Sequence, residues 1–81
     1  MRTSFSPEYT IFLSLIVDVR KRAEMTQADV AKALRKPQSF VSKYERGERR
    51  IDFAEFVRLC DILETDPVKF LKEFRDRRGD A

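Results

Sequence analysis

Met25-Thr-Gln-Ala-Asp-Val-Ala-Lys-Ala-Leu-Arg-Lys-Pro-Gln-Ser-Phe-Val-Ser-Lys-Tyr-Glu-Arg-Gly-Glu-Arg-Arg50 is the stretch whose reading decides the fold. It reads as a short helix, a tight turn and a second helix closed by Gly47. Thr26 and Asp29 form a capping box, with Asp where Glu is usual. Val30, Ala31 and Leu34 make the short buried stripe of the first helix, and Arg35 and Lys36 make the turn. Pro37 opens the second helix in its first turn, where a missing N–H is harmless. Val41 and Tyr44 face inward with Phe40 at the edge, and Gly47 ends the helix at its C′ position. The other side of this helix carries Gln38, Ser39, Ser42 and Lys43. A helix that buries one face and offers Gln, Ser and Lys on the other suits the major groove of DNA.

Helical signals continue on both sides of this stretch. Ser6-Pro7 is an N-cap followed by proline at the first helical position. Phe12, Leu15, Ile16 and Val19 then recur at i, i+3, i+4, i+7, marking a buried face on a helix that runs to about Ala23. Asp52 and Glu55 form a second capping box, and Phe53, Phe56, Val57, Cys60 and Leu63 read as the inner side of helix four. Asp66-Pro67 repeats the cap-plus-proline start before Val68, Phe70, Leu71 and Phe74. With two glycines, three prolines and no alternating β-branched pattern, the chain reads as all-α with five helices. The 81 residues make one domain, residues 1–74, with a charged tail over 75–81 that lacks apolar anchors and reads as frayed.

Composition removes whole classes of function. With no histidine and one cysteine, neither an internal disulfide nor a Cys/His metal site can form, and no cofactor is expected. There is no glycine-rich phosphate loop and no obvious pair of catalytic acids, so an enzyme is a poor fit. The apolar run Ile11-Phe-Leu-Ser-Leu-Ile-Val17 is far short of a membrane span and reads as a buried helix. The segment from Met1 to Phe5 lacks the apolar core of a signal peptide, which with the cysteine content points to the cytoplasm. The net charge of +3 says little by itself, but its distribution says more. Residues 20–50 carry ten Lys/Arg against four Asp/Glu, a net +6, while residues 1–19 sum to −1 and 51–81 to −2. An excess concentrated on one helix pair and its loops is the electrostatic footprint expected for phosphate.

Thr26-Gln27, Ala31, the run from Pro37 to Glu45 and Gly47-Glu-Arg-Arg50 together resemble the Cro/cI-type, or XRE-like, helix-turn-helix family. The resemblance covers about residues 10–74. It implies a compact lambda-repressor-like bundle and a cytoplasmic, nucleoid-associated regulator that binds double-stranded DNA as a homodimer, often as a repressor at a palindromic operator. It places residues 37–46 as the recognition helix, with Gln38, Ser39, Ser42 and Lys43 toward base edges. Gln38 can pair with adenine, and Lys43 can donate to guanine or to phosphate. Gln27 is placed at a helix N-terminus beside a phosphate, and Lys36, Arg46, Arg49 and Arg50 are backbone contacts. The resemblance also implies an ion pair between Arg20 and Glu45. The family's turn usually holds glycine where this chain has Arg35, so Arg35 must take positive φ.

The apolar excess on helix five, Val68, Phe70, Leu71 and Phe74, reads as a dimer interface shared with helix four. Within the regulator reading, an antitoxin or operon-controller role stays open, although the tail is short for a toxin-binding segment. A helical protein-interaction module without DNA binding is the alternative of a different class. The combination of Gln38, Ser42 and Lys43 on one face argues against it.

Overall fold

Five helices follow one another: α1 (Pro7–Arg22), α2 (Gln27–Leu34), α3 (Gln38–Glu45), α4 (Phe53–Ile62) and α5 (Pro67–Arg78). They are seen in a computed structural model that describes residues 6–79. The reading of Met1 to Phe5 as lacking a signal peptide, and the last two tail residues, lie outside the described residues.

Side chains start four of the five helices. Ser6 Oγ accepts from the Tyr9 N–H at 3.2 Å, with Pro7 next to it in the first turn. Thr26 and Asp29 exchange both capping-box bonds, at 3.0 and 2.9 Å, and Asp52 and Glu55 do the same at 2.8 and 3.0 Å. Asp66 accepts from the Val68 N–H at 2.9 Å. The exception is α3. Pro37 is its N-cap in extended conformation rather than its first helical residue, and gives it no side-chain bond.

Helix ends share one backbone device. After α1, α2, α3 and α4 the chain closes with a long back-bond from the second or third residue past the helix to a carbonyl in its last turn. The bonds are Met25 N–H to Arg20, Lys36 to Ala31, Glu48 to Lys43 and Thr65 to Cys60, at 2.9 to 3.2 Å. Each is a Schellman closure and needs a left-handed residue just before the donor. Those residues are Glu24 (φ 58°), Arg35 (φ 59°), Gly47 (φ 81°) and Glu64 (φ 55°). Only one of the four is glycine. Arg35 takes the conformation its place in the turn demands; Glu24 and Glu64 do the same with no mark in the sequence.

The core joins all five helices: Leu15, Ile16 and Val19 of α1, Val30 and Ala31 of α2, Val41 and Tyr44 of α3, Leu59 of α4 with Leu63 just beyond it, and Phe70 of α5. Phe12, Phe56 and Phe70 interlock at one end, with ring centroids 4.9 to 5.8 Å apart. The inner side of α4 differs from its sequence reading. Leu59 is buried, whereas Phe53 is 79% exposed. Phe53 shares the angular face of Cys60 but sits in the first turn of α4, beyond the edge of the core, where none of the described residues covers it.

The tail also differs. Residues 75–78 continue α5, and Gly79 closes it in the left-handed conformation. Arg77 bonds to Asp18 at 2.8 Å and to Ser14 at 3.3 Å on α1, and Arg22 pairs with Glu73 at 2.7 Å. Charged contacts along α1 therefore hold a segment that has no apolar anchor. Among the described residues, no helix is long and apolar enough to cross a membrane.

Candidate nucleic-acid interface

The second helix of the motif is fixed from behind by packing and from its end by charge. Val30 of α2 and Val41 and Tyr44 of α3 are fully buried, which locks the α2–α3 angle. Glu45, the last residue of α3, accepts from Arg20 Nε at 2.7 Å and from the same guanidinium's Nη2 at 3.2 Å. Gln27 Nε2, at the first turn of α2, donates to Glu45 Oε1 at 2.8 Å. Arg20 spends its remaining arm on the Met25 carbonyl at 3.0 Å. The side chains of Arg20 and Glu45 are only 12% and 6% exposed. One carboxylate therefore ties α1, α2 and α3 together.

The opposite face of α3 is open. Gln38, Ser39 and Lys43 are exposed and Ser42 is half-buried. Ser42 Oγ turns back on its own helix, donating to the Ser39 carbonyl at 3.2 Å. Among the described residues, the side chains of Gln38 and Lys43 make no hydrogen bond or ion pair. A stripe of small and long polar groups lies along a helix whose back is immobile. This is the shape and chemistry of a groove-reading element.

The cations marked as backbone contacts are placed less simply. Arg46 forks onto Glu48, Nε to Oε2 at 2.7 Å and Nη2 to Oε1 at 3.2 Å. Arg49 forks onto Glu55 at 2.7 and 2.9 Å, donates to the Arg50 carbonyl at 2.8 Å, and lies 4.4 Å over the Phe40 ring. Lys36 Nζ is 5.4 Å from that ring. Arg50 stacks 4.4 Å over Tyr9, whose hydroxyl accepts from the Ile51 N–H at 3.1 Å. The loop after α3 is thus riveted to Phe40 on one side and Tyr9 on the other.

These contacts bear on the sequence reading of Gln27, Lys36, Arg46, Arg49 and Arg50. Gln27 faces Glu45 with one amide hydrogen, and Arg49 is engaged by Glu55 and Phe40. Bonding to Arg49 holds the Glu55 carboxyl below the ordinary glutamate range, and bonding to Arg46 does the same for Glu48. Both carboxylates, and the Tyr9 rivet, were missed in the sequence. Glu48 could have been found as an opposite charge two residues from Arg46. Glu55 and Tyr9 could not, because no helical period links them to the loop.

A second surface adjoins the loop after α3, with Arg50 and Ile51 in its lining. A groove of about 560 Å³ runs between the N-terminal turns of α1, α4 and α5, floored by Phe12, Phe56 and Phe70 and edged by Phe53, Val68 and Leu71. Phe53, Val68 and Leu71 are 79%, 60% and 55% exposed. Phe70 belongs to the core at 4% exposure, and Phe74 packs partly against that core while both line the groove. The apolar excess on α5 is divided: two phenylalanines close this chain's own core, and Val68 and Leu71 stay outside.

A family model described as helix-turn-helix matches residues 16–70. No curated protein matches the chain. The solved structure of an XRE-family like protein from Pseudomonas syringae pv. tomato str. DC3000 is similar throughout, with a TM-score of 0.80 at 40% sequence identity over 86% of this chain and 85% of that chain.

Proposed function

The chain belongs to the Cro/cI-type, XRE-like helix-turn-helix family, whose members are non-enzymatic DNA-binding proteins, and on that premise we propose that it is a sequence-specific transcriptional regulator acting as a dimeric repressor. The observation that carries this reading is the open face of α3. Gln38, Ser39, Ser42 and Lys43 present donors and acceptors outward from a helix that Glu45, Arg20 and the core hold still. In this reading α3 enters the major groove, Gln38 pairs with adenine and Lys43 with guanine or phosphate. Gln27 and Lys36 lie beside the backbone and Arg46 beyond them. In this reading repression follows from occupancy, the bound dimer covering its site.

The test is selection of bound duplexes from a random pool, followed by titration of the best site against a scrambled one. A two-fold symmetric consensus is expected. Gln38→Ala should weaken the best site by about 1–3 kcal/mol and scrambled DNA far less. An unchanged ratio between the two sites would remove Gln38 as a reader, and an absence of any preferred sequence would remove the regulator reading.

A further inference from the structure

Arg46 extends the stripe of Ser39, Ser42 and Lys43 by one turn. Gly47, the next residue, is buried, so the chain dips inward between Arg46 and Glu48 and leaves both side chains outside. The backbone of Glu48 is fixed by its N–H bond to the Lys43 carbonyl at 2.9 Å. Its carboxylate therefore stands at a defined place beside the outward face of α3, and it meets Arg46 fork to fork. Lys43 also acts on that carboxylate electrostatically. Planar guanidinium binds carboxylate and phosphate in the same two-pronged geometry.

We propose that Glu48 is an internal stand-in for a DNA phosphate: it holds Arg46 in the free protein, must be displaced when Arg46 takes a backbone phosphate, and so sets the level of affinity for duplex DNA of any sequence. This rests on α3 being the DNA-facing helix. Binding exchanges one fork for another, and the displaced carboxylate is left near a polyanion. Both effects weaken binding independently of base sequence. An exposed pair is suited to such an exchange, because its fork is held loosely against solvent; the two side chains are 55% and 48% exposed.

The test is a binding cycle on random-sequence duplex DNA using the wild type, Glu48→Gln, Arg46→Ala and the double variant, each titrated over a range of salt. Glu48→Gln is expected to tighten binding at about 50 mM salt by roughly threefold or more, and the gain should shrink as salt rises. In the Arg46→Ala background the gain should shrink to the smaller part that comes from repulsion between the carboxylate and DNA. A gain of equal size in that background would mean general charge repulsion and would overturn the proposal, as would no gain at all. If the wild type binds no duplex even at low salt, the proposed function fails as well; wild-type binding without a Glu48→Gln gain sinks only the phosphate stand-in. Thermal melts of the four proteins should coincide closely, because both groups lie on the surface.

Discussion

Glu45 accepts three hydrogen bonds from two residues on two other helices, and little of it reaches solvent. Removing one partner of such a pair leaves the other charge poorly solvated, which commonly costs about 3 kcal/mol. Arg20→Ala and Glu45→Ala should each lower stability by about that amount, and the double variant should lose clearly less than the sum. Denaturant midpoints across the cycle would check this; strict additivity would mean the charges do not interact. Glu45→Gln should cost somewhat less than Glu45→Ala. Its one oxygen can still accept from Arg20 Nη2 and Gln27, but its NH2 then opposes the Arg20 Nε–H and the charge is lost. Cys60 makes a contrasting residue. Burial pushes its thiol up to about 11, so at neutral pH it is a packed, protonated side chain. A thiol reagent at pH 8 should label Cys60 only at the rate of protein opening.

Helix beginnings and helix ends differ in how legible they are. A beginning needs a side-chain oxygen, so Ser6, Thr26, Asp52 and Asp66 announce theirs in the sequence. An end needs one left-handed residue, and only glycine advertises that conformation. The sequence therefore located all five helices and read the Gly47 closure, and the resemblance marked Arg35, while Glu24 and Glu64 remained invisible. The outward face of α3 was legible for the same kind of reason: a 3.6-residue period separates Val41 and Tyr44 from Ser39, Ser42 and Lys43. The anchoring of the arginines was not, because Arg49–Glu55 and Arg50–Tyr9 join residues through the folded loop. The left-handed residues yield a test. A side chain at positive φ is strained by about 1 kcal/mol, so Glu24→Gly, Arg35→Gly and Glu64→Gly should each hold or raise stability by up to about that much. Thermal melts would check them one at a time, and a loss of more than about 1 kcal/mol at any site would show that its side chain outweighs the strain.

For the whole molecule, two surfaces have different solvents to satisfy. In the proposed reading α3 faces a polyanion, while Phe53, Val68 and Leu71 stand in water around an aromatic groove. Three large apolar side chains together at the mouth of one groove are more than a scatter of single exposed residues, and a second copy of the chain is the natural cover. Pairing through this groove, which adjoins the loop after α3, is compatible with two α3 helices on one side of a dimer, and successive major grooves of one duplex face are about 34 Å apart. The surface is held in shape by α5, which is tied to α1 through Glu73, Arg22, Arg77 and Asp18. Hydrogen bonding to Arg22 depresses the Glu73 carboxyl, as Arg49 depresses Glu55. A depressed carboxyl stabilises the fold above its unfolded value of about 4.3 and loses that contribution as pH falls through the lower folded value. Stability should accordingly decline below about pH 4.3, and Glu73→Gln should flatten that decline. Dimerisation has its own check. Leu71→Glu and Val68→Glu change exposed positions, so they should leave the monomer's melting temperature nearly unchanged while shifting sedimentation at tens of micromolar from dimer to monomer. DNA binding should weaken far more on a two-fold symmetric site than on a half-site, because only the symmetric site profits from linked recognition helices. If both variants stay dimeric, the chain pairs through another surface; if the wild type is already monomeric with and without DNA, the apolar groove serves some other partner and the symmetric-operator reading falls with it.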